Sequence, residues 1–194
     1  MEEQVQEQTP EEKAPRKPGE DLFYWLGALV GAIVVLTLVF SFLGRLTRVD
    51  GHSMDPTLAH NEMMLVWSLG YQPRRGDIVV LNKTSTDFLG KRAIVKRVIA
   101  LGGDTVDIDY ENSVVYLNGQ PLDEPYLGEP MSWPGSPYMQ RTHFEIPEGS
   151  VFVMGDNRNN STDSRDEQLG PVEEEFILGR VFAILWPLDQ LGLI

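Results

Sequence analysis

The sequence predicts a mostly β protein: an antiparallel β-sandwich or partly open barrel, carried behind one N-terminal transmembrane helix. Three observations predict it. From Leu22 to Gly44 no residue carries a charge. The stretch from 45 to 194 has ordinary globular composition, cut into many short apolar runs by Gly, Pro, Asn and Asp. Helical periodicity is scarce within it, and numerous short strands close into a sandwich or barrel.

Residues 1–21 come first, with seven acids and three bases and almost no large apolar side chains. Such a stretch cannot bury enough surface to fold, so a disordered acidic tail is expected. Residues 22–44 follow as LFYWLGALVGAIVVLTLVFSFLG. At 1.5 Å per residue this run spans roughly 34 Å, enough for a hydrocarbon core of about 30 Å. Phe23, Tyr24 and Trp25 stand where an interfacial aromatic belt would lie. A buried core helix rarely runs this long without a charge, and no small-x-small site closes the run as in a cleaved signal peptide. Lys13, Arg16 and Lys17 precede it, against Arg45 and Arg48 after it. That bias predicts a cytoplasmic N-terminus and an extracytoplasmic C-terminal part.

In residues 45–194, strands are expected at 63–67, 77–81, 93–101, 105–109, 113–117, 143–146 and 151–154. Asn118-Gly119 between apolar runs signals a two-residue hairpin turn. Residues 73–77 and 101–104 punctuate similarly, 126–137 reads as a Pro- and Gly-rich loop, and 172–178 as one short helix.

The chain is acidic, with 29 acids against 16 bases, which argues against a nucleic-acid partner. It has no cysteine, so disulfide scaffolds, thiolate zinc sites and cysteine nucleophiles are excluded. His52, His60 and His143 share no metal-ligand spacing, and no Gly-x-Ser-x-Gly elbow is present. No metal or organic cofactor is expected.

Three stretches could carry chemistry. Gly51-His52-Ser53-Met54-Asp55-Pro56-Thr57-Leu58 begins about seven residues after the apolar run, and its Gly and Pro put Ser53 on a tight bend or an ordinary turn. In residues 92–101 strand alternation puts Ile94, Lys96, Val98 and Ala100 on one face and Val95, Arg97, Ile99 and Leu101 on the other, each apolar with one cation in it. A buried Lys96 would be paired or neutral, and a neutral amine is a base. Arg97 cannot give up its proton, so it snorkels or pairs with an acid, and Arg97→Lys is expected to be mild. An edge strand with both cations in water is the plainer alternative. Residues 155–165, GDNRNNSTDSR, have the wrong residues at positions 3 and 6 for a calcium loop. They suit either a polar surface loop or a hydrogen-bonded brace near a site.

Taken in order, four runs resemble type I signal peptidases of the single-anchor bacterial form: Ser53 to Leu58, Gly76 to Val80, Lys96 to Asp104 and Gly155 to Arg165. The resemblance covers the apolar helix and nearly all of 45–194. It implies a membrane-anchored serine endopeptidase that removes signal peptides from exported preproteins, cutting after small residues. It implies Ser53 as nucleophile and Lys96, as a neutral amine, as general base. By the same analogy Ser161 orients Lys96, and Asp163 and Arg165 form a supporting ion pair. Met54 and Leu58 match positions lining the small-residue pocket, and Ile94 and Val95 beside the base contribute to it. Some relatives carry, two residues before the nucleophile, a Ser whose hydroxyl is the second oxyanion donor; here that position is Gly51. A backbone N–H or a water would have to serve instead.

The expected localisation is the plasma membrane, single-pass, with preproteins and the lipid bilayer as partners and a monomeric chain. A self-cleaving stress repressor uses a similar dyad but needs a DNA-binding module where this chain has an apolar helix. A membrane-tethered β module for binding would leave the order of Ser53, Lys96 and the 155–165 run as coincidence.

Overall fold

The computed structural model describes residues 18–42, 44–82 and 93–194. They fall into two compact units divided between Val39 and Phe40. The first is most of helix α1 (Pro18–Phe42), in which the stretch Asp21–Leu38 is long and apolar enough to cross a membrane. Its side chains from 21 to 38 are exposed, unlike those of a core helix. The helix begins four residues before the uncharged run, so residues 18–21 are helical rather than part of the expected tail. Residues 1–17 of that tail lie outside the described residues.

The second unit is antiparallel throughout its described pairings. Its strands are β1 (Gly44–Arg48), β2 (Met63–Trp67), β3 (Ile78–Leu81), β4 (Ile94–Leu101), β5 (Thr105–Asp109) and β6 (Val114–Leu117). Then come β7 (Gln120–Pro121), β8 (His143–Glu145), β9 (Ser150–Met154), β10 (Val172–Glu173), β11 (Ile177–Trp186) and β12 (Gly192–Leu193). The larger sheet runs β1-β2-β11-β3-β4-β9-β10, with β12 on β11, and curls into a half-barrel. The smaller runs β7-β6-β5-β8.

β3 shows why the apolar runs do not alternate. All four of its residues are buried. Ile78 and Val80 pack with Met54, Leu58, Met64 and Val66, while Val79 and Leu81 pack with Val98, Val151 and Val153. A central strand covered on both faces has no polar side to show. In β4 the register slips against β9 between Val98 and Ala100. Ile99 and Ala100 therefore both join the core formed with Val106, Phe144 and Phe152, where strict alternation would separate them. The Asn-Gly signal holds: Asn118 (φ 51°) and Gly119 (φ 75°) make the turn from β6 to β7.

The helix expected at 172–178 is not formed. Those residues are β10, one 3₁₀ turn (Glu174–Phe176) and the start of β11. β11 itself lies beyond the expected strands. Its pairing with β2 shifts between Val181 and Ala183 and again between Ile184 and Trp186. Two bulges destroy the period-2 pattern by which a strand is read from sequence.

Candidate active site

Ser53 sits on the connection between β1 and β2, held at both ends by the backbone. The Val49 N–H donates to the Glu62 carbonyl and the Asn61 N–H to that of Val49, both at 2.9 Å. Inside this loop Gly51 adopts φ +107°, a conformation that L side chains rarely take. Met54 and Leu58 point into the core beneath, 1% and 0% exposed.

Lys96 reaches this loop from the middle of β4. Its Nζ lies 2.7 Å from Ser53 Oγ and donates to the Val95 carbonyl at 2.9 Å. The side chain is buried, and burial lowers its pKa to about 8. Asp163 and then Asp156 pull that value back up, and Arg165 pushes it down. A lysine so placed loses its proton as the pH passes about 8. The short contact then serves an O–H that donates to the amine.

The 155–165 stretch is the brace rather than the surface loop. Asp163 and Arg165 are buried, and Arg165 Nε donates to Asp163 Oδ1 at 2.8 Å. Burial alone would raise the Asp163 pKa; Arg165 and the Gly155 N–H overcome that and hold it below the usual carboxylate range. The loop is clipped to β9 by the Val153 N–H donating to Ser164 Oγ and the Ser164 N–H donating to the Val153 carbonyl. It is clipped to the Ser53 bend by the Asn157 N–H, which donates to the Ser53 carbonyl at 3.0 Å. Gly155 permits this closeness. A Cβ there would lie 2.3 Å from Ser161 Oγ and 2.4 Å from the Ser53 carbonyl oxygen.

Ser161 is thus brought beside Gly155 and Ser53, but Lys96 Nζ makes its hydrogen bonds to Ser53 and Val95. Ser161 Oγ is buried and meets no hydrogen-bond geometry, although it lies near enough to Asp163 to help keep that carboxylate ionised. Val95 packs with Met54 and Leu58 in one cluster, whereas Ile94 packs against another with Val79, Leu81 and Val98. Among the described residues, no group of three or more His, Asp or Glu is arranged to hold a metal ion.

The sequence alone does not name the partner of Arg97. It is Asp156, whose carboxylate accepts from Nε at 2.8 Å and from Nη2 at 2.6 Å. Arg97 also donates to the Gly76 carbonyl and stacks over Tyr126, and Asp156 accepts from Thr57 Oγ1 as well. Arg158 and Glu124 form a further buried ion pair, to which Tyr126 donates. The Asp-Asn-Arg following the buried strand β9 was the available signal for both. The expectation that Arg97→Lys is mild is therefore revised, because an ammonium cannot reproduce a planar fork. Arg97→Gln should have the larger effect. It leaves Asp156 buried without its charge partner, costing about 3 kcal/mol of stability. It also frees the Asp156 field to raise the Lys96 pKa. Less neutral amine is then present at pH 7, and the acid limb of any Lys96-dependent activity moves to higher pH. A pH–rate profile of Arg97→Gln checks this; a limb where the parent has it would contradict it.

A family model described as signal peptidase, peptidase S26, matches residues 22–186. The chain is 35% identical over 190 residues to a probable signal peptidase I-2 of Synechocystis sp., spanning 94% of this chain and 82% of that one. It is 35% identical over 188 residues to a signal peptidase I of Bacillus licheniformis, spanning 93% and 97%. A crystal structure of a signal peptidase I from Enterococcus faecalis V583 aligns with 57% of this chain and 97% of that chain, at 30% identity and a TM-score of 0.45.

Proposed function

This chain belongs to the signal peptidase family, peptidase S26, and from that premise we propose that it removes signal peptides from exported preproteins with Ser53 as nucleophile and Lys96 as general base. The observation that carries the reading is the 2.7 Å contact between Ser53 Oγ and a buried lysine whose pKa is lowered to about 8. The neutral amine takes the Ser53 proton as Oγ attacks the scissile carbonyl. Among the described residues nothing accepts the Ser53 N–H, which supports it as one oxyanion donor. The Gly51 N–H is already given to His60 Nδ1. Lys96 then returns the proton to the leaving amine, and a second cycle with water releases the acyl group.

Substrate reading follows from the sheet. β1 is an edge strand of the larger sheet, and the chain runs from it directly to Ser53. An extended peptide added beside it would send alternate side chains towards Met54, Leu58 and Val95, so two alternate small residues are read. Ile94, expected beside them, packs instead with Val79, Leu81 and Val98 in the other cluster and is left out of this reading. Asp163 and Arg165 support the loop that carries Ser161.

α1 acts as a single-pass anchor in the plasma membrane, with the residues before it cytoplasmic and the catalytic unit extracytoplasmic; the expected anchor bounds of 22–44 shift to Pro18–Phe42, because Gly44 already pairs in β1. Leu46, Trp67, Phe182, Trp186, Leu191 and Leu193 of that unit are exposed, which supports contact with the bilayer. The enzyme acts as a monomer.

Detergent-solubilised protein should cut a preprotein once, after the Ala preceding the bond, and Ser53→Ala should not. A preprotein with Phe in that position should resist cleavage, because a close-walled pocket cannot take it. Cleavage by Ser53→Ala, or efficient cutting of the Phe substrate, would contradict the reading.

A further inference from the structure

We propose that His60 is a positioning residue for Ser53: its unprotonated Nδ1 accepts the Gly51 N–H and holds the bend that carries the nucleophile, so protonation of His60 slackens that bend. The proposal rests on the reading of Ser53 as nucleophile.

The geometry is local and specific. The Gly51 N–H donates to His60 Nδ1 at 3.0 Å, closing a ring across the loop. Gly51 is the residue at φ +107°, so the bond is made where the backbone is least constrained by sterics. Two residues on lies Ser53, whose carbonyl is fixed by Asn157 from the other side. The peptide bearing the Ser53 N–H is thus held between His60 upstream and Asn157 downstream. Around the imidazole stand the Asp50 carboxylate at 4.0 Å and the His52 ring, with centroids 5.4 Å apart. His52 Nδ1 is in turn 2.9 Å from Asp55 Oδ2, and the Glu62 carboxylate accepts the Ala59 N–H.

The sign follows from the acceptor. A neutral imidazole has one ring nitrogen with a free lone pair, and here that nitrogen must be Nδ1. Protonation puts an N–H on Nδ1, facing the Gly51 N–H, and the bond is lost. Asparagine offers a test, since its Oδ1 stands where His Nδ1 does, accepts the same N–H and takes no proton.

The experiment compares kcat/KM of the full chain with that of His60→Asn and His60→Leu on one preprotein from about pH 8.5 to 5.5. Ratios between variants cancel the protonation of Lys96. His60→Leu should fall about fivefold at the alkaline end, the worth of one hydrogen bond, and converge on the parent at the acid end. His60→Asn should retain most of the parent rate at the alkaline end and exceed it about fivefold at the acid end. Ratios that do not change with pH would overturn the proposal. Should His60→Leu fail to fold, the His60→Asn ratio alone decides. Ser53→Ala in the same assay separates the two claims: an active Ser53→Ala overturns the nucleophile, whereas flat ratios with an inactive Ser53→Ala overturn only His60.

Discussion

Lys96→Met is expected to lose turnover by about a thousandfold or more, the scale of a general base, while melting at a higher temperature at pH 7. The two effects have one cause. The Lys96 pKa is lowered by burial from 10.5 to about 8. Below 8 the folded protein carries a buried ammonium that the unfolded chain keeps in water. That penalty is about 3 kcal/mol. Between 8 and 10.5 the unfolded chain binds more protons than the folded one, so stability rises with pH and then levels. Methionine carries no charge, so its variant should gain at pH 7 and lose that advantage as the pH passes 10.5. Lys96→Arg should be equally inactive, because a guanidinium cannot accept a proton at these pH values. Thermal melts and single-turnover rates on the same samples check both halves. A Lys96→Met protein with a tenth of normal turnover would contradict the assignment, and an unraised melting temperature would contradict the burial argument.

Gly155→Ala is the second large effect. The added methyl would meet Ser161 Oγ at 2.3 Å and the Ser53 carbonyl at 2.4 Å. Serine Oγ can rotate, but the Ser53 carbonyl is backbone and is held by the Asn157 N–H. The bend must therefore shift, carrying Oγ away from Lys96 Nζ. A displacement of about 1 Å at reacting atoms costs on the order of a hundredfold in rate. The Asp163–Arg165 pair and the Ser164 clip to β9 lie further along the loop and should keep the fold. Turnover within a few-fold of the parent, in a protein with an unchanged melting temperature, would contradict this.

What could be read from the residues differs from element to element, for physical reasons. The turn at Asn118-Gly119 was legible because a positive φ at both positions demands those residue types. β3 was legible as a short apolar run between turn residues, since burial on both faces leaves no other composition. β11 was not, because two bulges hide its period and the glutamates at 173–175 imitate a helix start. In the site, Lys96 was conspicuous as a cation in an apolar strand, and Ser53 as a residue between a Gly and a Pro. Their 2.7 Å contact spans 43 residues of chain and only the fold shows it. The Arg97–Asp156 fork and the Gly51–His60 hydrogen bond were illegible for the same reason. A charged or polar side chain in a sequence names the need for a partner but not which residue meets it. Ser161 is the opposite case: the resemblance implies that it orients Lys96, whereas its Oγ lies buried beside Gly155 and makes no hydrogen bond.

If Lys96 acts as a neutral amine, the dependence of kcat/KM on pH must report its titration. Measured on one preprotein with His60→Asn, which removes the contribution of His60, from about pH 6 to 10, the profile should rise about tenfold per unit and bend near 8, the value to which burial lowers Lys96. That bend should survive His52→Ala and His143→Ala. A profile that bends near 6.5 instead, and loses the bend when one histidine is replaced, would contradict the account.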